Sequence, residues 1–334
     1  MRKTAIVLAV LLQIVVLLVM AGEREYIMRY GKTIYLRTAP IDPRDLFRGD
    51  YVRLSYEISS IPAVKFQDKI KTSEIKKGQK IYAVLREGPN NLFELDYAGT
   101  EKPANGLYLS GRLQYHHQFS KSGNPIPVKY SLEAYFVQQG KGMDIEHRRG
   151  RRNEIQIPLE MEIAVAANGR AVIKGHRWSP LGMGLKILES PARNDTNGRR
   201  SAKIGLTLKN VSDSPLALVN LPNQCSFSLE PANQTHPDWI PDNVMCEILT
   251  LAEDDIIVLA PGQEHAFVFD FSEQRWWVKK NNTPVEIGTL NMWQRFRLVY
   301  RPPDESQCLQ LREKDIIWHG YLPSRAFHGV GNID

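Results

Sequence analysis

The stretch Pro40-Ile41-Asp42-Pro43-Arg44-Asp45-Leu46-Phe47-Arg48-Gly49-Asp50-Tyr51-Val52-Arg53-Leu54-Ser55-Tyr56-Glu57-Ile58 passes from turn chemistry into a period of two. Proline presets one turn dihedral and aspartate bonds to nearby backbone N–H groups, so residues 40–50 read as a turn closed by a tight Gly-Asp bend. After the bend Val52, Leu54, Tyr56 and Ile58 fall on one face of an extended segment, and Tyr51, Arg53, Ser55 and Glu57 on the other. One face is therefore core. The same period recurs at 33–37, 80–85, 107–113, 128–137, 155–165 and 171–174, between clusters of Gly, Asn and Pro. Asn168-Gly169 is the sharpest hairpin signal and predicts a type I′ turn, which needs positive φ at both residues. One helical turn is expected near residues 71–77. A β-domain is thus expected over residues 26–188.

Upstream, Met1-Arg2-Lys3 precedes an apolar run from Ala5 to Ala21 broken only by Gln13. About 17 residues make roughly 26 Å of helix, which just spans a bilayer. A secretory signal peptide shares the basic start, but its apolar region is shorter and ends in a small-x-small site that Leu18-Val19-Met20-Ala21-Gly22 lacks. Residues 1–25 are therefore expected to be a retained transmembrane anchor. Arg2 and Lys3 favour a cytoplasmic N-terminus and a single pass through the inner membrane, leaving the rest extracytoplasmic or periplasmic.

Downstream, residues 189–200 are polar and charged, so the linker is placed there. Residues 201–334 carry about seven short strands with frequent turn signals, as in an immunoglobulin-like sandwich. The expected fold is mainly β: a membrane helix followed by two β-rich domains.

With 43% hydrophobic and 24% charged residues the chain has material for a core, and +6 is too diffuse a charge for nucleic acid to be an expected partner. Cys225, Cys246 and Cys308 are the cysteines. Cys225 and Cys246 would close a loop of workable length in an oxidising compartment, with three unpaired thiols as the alternative. No spacing of His or Cys suits a metal, and no phosphate-binding loop occurs, so neither metal nor cofactor is expected. Asp42, Asp45 and Asp50 fit no EF-hand and are explained by the turn. His147-Arg148-Arg149-Gly150-Arg151-Arg152 is the strongest charge run. It reads as a hairpin or loop, and Arg148, Arg149, Arg151 and Arg152 are the candidate polyanion contacts. Trp276, Trp277 and Trp293 would stack on sugars, sit at a membrane interface or close the end of a core.

Gly49, Asp50, Tyr51, Leu54, Tyr56 and Ile58 carry a resemblance. The chain resembles the GDYXXLXY membrane-anchored proteins of bacteria, and these six match each fixed position of the family's pattern. Further blocks lie at Tyr135-Phe136-Val137 with Gly140, Gly142, Ile145 and Glu146, and at Gly169–Gly175. Gln138-Gln139 stands where Pro-Glu is expected. The likeness covers roughly residues 1–175. It implies an N-terminal anchor and an extracytoplasmic domain of uncharacterised role, linked with polytopic membrane proteins, and supplies no catalytic residue. The leading expectation is a non-catalytic module bound to another membrane or envelope protein. The competing classes are an envelope hydrolase and a carbohydrate or polyanion binder. A signal-peptidase-like enzyme would need a serine activated by lysine, and Ser55 has no lysine nearby in sequence.

Overall fold

The uncharged run Ala5–Ala21 and its charged flanks form one helix, Arg2–Tyr30, whose side chains from Ile6 to Met20 face no other part of the protein. A helix apolar on every side is suited to lipid. The computed structural model describes residues 2–39, 51–62, 65–67, 74–115, 117–118, 125–138, 141–150, 154–191, 200–232, 239–241, 246, 251–280, 283–290 and 294–333. The helix joins the body without a linker. Ile27 is buried, Glu23 pairs with Arg170, and Gly31 donates its N–H to the Ile27 carbonyl at 2.9 Å. A Cβ at position 31 would lie 2.6 Å from that carbonyl, so only glycine allows the helix to turn so closely into the first strand.

That strand, Lys32–Arg37, pairs antiparallel with Leu159–Val165, which pairs with Ala171–Trp178. A five-stranded sheet lies against them, in the order Ser60–Ile61, Ile126–Lys129, Leu107–Leu113, Lys80–Glu87, Phe93–Gly99. Their alternate residues, among them Ile34, Leu36, Ile81, Leu109, Met161 and Ile163, fill one core. The Asn168-Gly169 hairpin forms, but not as type I′: Gly169 alone takes positive φ, at 76°. Asn168 Oδ1 accepts the Arg170 N–H at 3.0 Å, and Gly169 N–H donates to Ala166 O at 2.9 Å. This suits a longer loop with one left-handed glycine.

The expected strand after the Gly-Asp bend is shorter than its period suggests. Tyr51–Arg53 pairs with Ala134–Phe136, and the chain then curls into a 3-10 turn at Glu57–Ser59. Val52, Leu54, Tyr56 and Ile58 are all buried nonetheless. The helical turn near residues 71–77 is not found: Glu74–Ile75 is a strand paired with His117–Gln118, Gly78 turns at φ 80°, and residues 71–73 lie outside the described residues. The start of the arginine run, His147 to Arg149, is also not in a loop. Lys141–Arg149 is a helix ended by Gly150 at φ 88°. Its last turn holds His147, Arg148 and Arg149, cations that complement the helix dipole, and a left-handed glycine stops it.

The second core is built by Leu181–Glu189, Lys203–Asn210 and Glu264–Asp270 facing Phe227–Pro231, Phe296–Tyr300 and Leu322–Pro323, with Leu216–Val219 paired to Ile256–Leu259. These are two antiparallel sheets over one aromatic interior, where Phe227 meets Phe267 and Phe269 edge-on at 4.8 and 5.0 Å. The division between the cores departs from the expected linker. Leu181–Glu189 pairs with Lys203–Asn210 and puts Leu181 and Met183 into the second core, so residues 189–200 lie between partners of one sheet. A polar stretch between two strands looks the same in sequence whether it links domains or closes a hairpin.

A disulfide joins Cys225 to Cys246, 21 residues apart, and Cys308 is a buried free thiol. A loop of that length restricts the unfolded chain by about 3 kcal/mol. Cys225→Ser is therefore expected to lose about that much in denaturant unfolding of the full chain, and a change below about 1 kcal/mol would contradict the assignment.

A candidate binding cleft between the two cores

Alternation alone would send Arg37 outward, opposite Ile34 and Leu36. It is buried because the second core covers that end of the sheet. Arg37, Glu160 and Arg177 stand opposite one another on three neighbouring strands. Arg37 Nη2 donates to Glu160 Oε1 at 2.9 Å and Arg177 Nε donates to Glu160 Oε2 at 2.8 Å. The Arg177 guanidinium also lies 3.6 Å from the Tyr35 ring centroid. Arg37 Nε and Nη1 are buried and find no hydrogen-bond partner in the protein.

The second core meets this row directly. Arg37 faces the Tyr321 ring at 5.9 Å, Arg301 lies 4.8 Å from the same ring, and Arg301 pairs with Glu94 at 3.7 Å. Gln156 and Met183 exchange backbone hydrogen bonds of 2.8 and 2.9 Å across the junction. Between the cores lies a cleft of about 240 Å³. Arg37, Ser55, Tyr56, Glu57 and Arg149 line one side and Met183, Arg297, Leu322, Ser324 and Arg325 the other. Arg149 reaches it from the end of its helix, with Nη2 donating to Ala39 O at 2.5 Å.

Burial pushes the Glu57 carboxyl above the ordinary carboxylate range, more than Arg37 and Arg297 draw it down. Burial works against the charge of Arg37 too, but Glu160 and Glu57 outweigh it and hold the guanidinium protonated. Tyr321 is pushed up by burial and by Glu57. Because folded Glu57 binds its proton more tightly than the unfolded chain does, its contribution is greatest at low pH and is lost as pH rises above the ordinary carboxylate value. Glu57→Gln removes that titration. Its melting temperature relative to the parent is expected to rise between about pH 4 and about pH 8, and a pH-independent difference would contradict this.

The expected site residues are distributed differently. Gly49 and Asp50 lie outside the described residues, as do Arg151, Arg152 and Trp293. Leu54, Tyr56 and Ile58 are core. Tyr56 Oη donates to Leu132 O at 2.9 Å, while Tyr130 Oη donates to Ile58 O at 2.8 Å. The two tyrosines thus clasp one segment to the other, and Tyr56 also forms part of the cleft wall. Arg148 and Arg149 diverge: Arg148 lies over Trp178 at 5.2 Å, whereas Arg149 enters the cleft. Trp276 is buried against Phe269 and Phe271, and Trp277 Nε1 donates to Ser272 O. Neither arrangement presents a stacked platform for sugars. Among the described residues no group of His, Cys, Asp and Glu is placed to hold a metal ion.

Sequence reasoning missed Arg37, Glu160, Arg297 and Arg325. Only the outward placement of Ser55 and Glu57 hinted at a polar surface there. Among the described residues the lining includes Ser55, Ser60 and Ser324 and one carboxylate, Glu57, and no Lys, His or Asp. What the arrangement offers chemically is guanidinium groups in a partly dry setting.

Residues 13–175 match the family model described as GDYXXLXY protein. Comparison with the curated proteins and with the solved structures gave no match.

Proposed function

Since the chain belongs through residues 13–175 to the GDYXXLXY family, we propose that it is a membrane-tethered, non-catalytic assembly module whose body docks another envelope protein at the cleft between its cores. Residues 5–21 hold it in the cytoplasmic membrane, the short N-terminal tail stays inside, and the β-body works on the extracytoplasmic side. One observation carries the reading: arginines from both cores converge on the cleft, Arg37 and Arg149 from the first and Arg297 and Arg325 from the second.

A photocrosslinking residue at Ser60, an exposed position on the cleft wall, tests this in membranes. The expected result is an adduct of one discrete mass that does not form from Leu309, an exposed residue outside the cleft wall. Equal labelling from both positions, or no adduct from Ser60, would overturn the proposal.

A further inference from the structure

Stem and body meet at a depth that the helix itself measures. Residues 5–21 make roughly 26 Å of helix against a hydrocarbon core of about 30 Å, and a headgroup layer of about 5–7 Å lies beyond that core on each side. The helix continues unbroken to Tyr30. Glu23 and Tyr26 therefore stand roughly 3 Å and 7.5 Å past Ala21 along its axis, within the headgroup layer.

The body comes down to the same depth. Arg170 closes the turn between Leu159–Val165 and Ala171–Trp178 and pairs with Glu23. That turn is held in place from behind, because Tyr108 Oη donates to Ala167 O at 2.9 Å and Ser110 N–H donates to Gly169 O at 2.8 Å. The first core is in turn fixed to the stem, with Ile27 buried and Gly31 so close that an added Cβ would lie 3.1 Å from Val165 N and O. At the tip of the turn Ala167 and Asn168 are exposed. On the stem Tyr26 is exposed too, its ring 5.0 Å from that of Tyr30. A tyrosine has an apolar ring and a polar end, and settles where hydrocarbon meets water.

We infer that the lipid headgroup layer is the partner of this collar, Tyr26 on the stem and Ala167–Asn168 on the body, so that the bilayer surface fixes the height and orientation of the body. Ala167 and Asn168 are uncharged and Arg170 is neutralised by Glu23, so zwitterionic phosphocholine headgroups suffice. With the tether reading above as its premise, this contact also constrains docking. Lys32 opposes Val165 beside the turn and Arg37 opposes Glu160, so the strand carries Arg37 and the cleft about 17 Å farther from the tip. A docking partner must present its segment clear of the headgroups.

The test places a thiol-reactive, environment-sensitive neutral dye at Asn168→Cys, Tyr26→Cys or Val258→Cys in the full chain, reconstituted in phosphatidylcholine vesicles. Cys225 and Cys246 are joined, Cys308 is buried, and Val258 is exposed on the second core. A nitroxide on the lipid headgroup is expected to quench the dye at 168 and at 26 about threefold or more over the dye at 258, the first two lying inside the headgroup layer. Ala167→Cys keeps the hydrogen bond from Arg170 N–H to Asn168 Oδ1 and is expected to behave as Asn168→Cys does. Quenching at 167 and 168 no greater than at 258, in chains that float with the vesicles, would overturn the inference and leave the tether standing. Chains that fail to float would sink the tether and this contact with it. A specific Ser60 crosslink without quenching at 168 would leave docking intact and remove the headgroup contact, and quenching with no Ser60 adduct would do the reverse.

Discussion

Glu160→Ala is expected to destabilise the protein by about 3–5 kcal/mol, the scale for removing one partner of a buried ion pair. The side chains of Arg37 and Glu160 are 4% and 6% exposed, and Glu160 is the carboxylate that both Arg37 and Arg177 bond. Its loss leaves the Arg37 guanidinium without any of its side-chain hydrogen bonds, under the second core and away from water. The pair itself need not be a net source of stability, because taking two charges out of water costs nearly as much as their attraction returns. Replacing Arg37 and Glu160 together with apolar residues is therefore expected to cost much less than Glu160→Ala alone. Chemical denaturation of the full chain in detergent would measure both, and a Glu160→Ala loss below about 1 kcal/mol would contradict the account.

Tyr56→Ala is expected to cost a similar amount, about 3–5 kcal/mol, for a different reason. Tyr56 is among the largest fully buried side chains, and its removal empties part of the first core beside the cleft. Tyr56→Phe keeps the ring and loses only the hydrogen bond to Leu132 O, so about 0.5–1.5 kcal/mol is expected. The two variants separate packing from clasping. If Tyr56→Phe were as damaging as Tyr56→Ala, the hydroxyl rather than the ring would be the main contribution, against the core assignment.

Much of this fold is legible in the sequence because its physics is local. Val52, Leu54, Tyr56 and Ile58 announce their buried face by spacing alone, and the stem does so by unbroken apolarity. The failures share a cause. Lys141–Arg149 is short and polar, with Ile145 its one buried apolar residue among those whose side chains are described, so its helix rests on capping by Gly150 and on contacts from elsewhere. The start of the second core at Leu181 depends on pairing with Lys203–Asn210 across a polar stretch that resembles any linker. The cleft is the least legible feature of all. Arg37 and Arg297 are 260 positions apart in the chain, and nothing near either of them signals the other. Arg37 follows Thr33-Ile34-Tyr35-Leu36 as an ordinary outward residue would, and becomes buried only when a second core folds over it.

The stem and body form one continuous unit: the helix runs through Tyr30, turns at Gly31, and is tied to the first core by Ile27 and the Glu23–Arg170 pair. If the apolar stretch is retained in the bilayer, the whole body must lie on a single side of it. Protease added to sealed membrane vesicles of known orientation measures this directly. Digestion of the body is expected in vesicles that expose the extracytoplasmic face, and protection in inverted ones. Protection in the first and digestion in the second would contradict it.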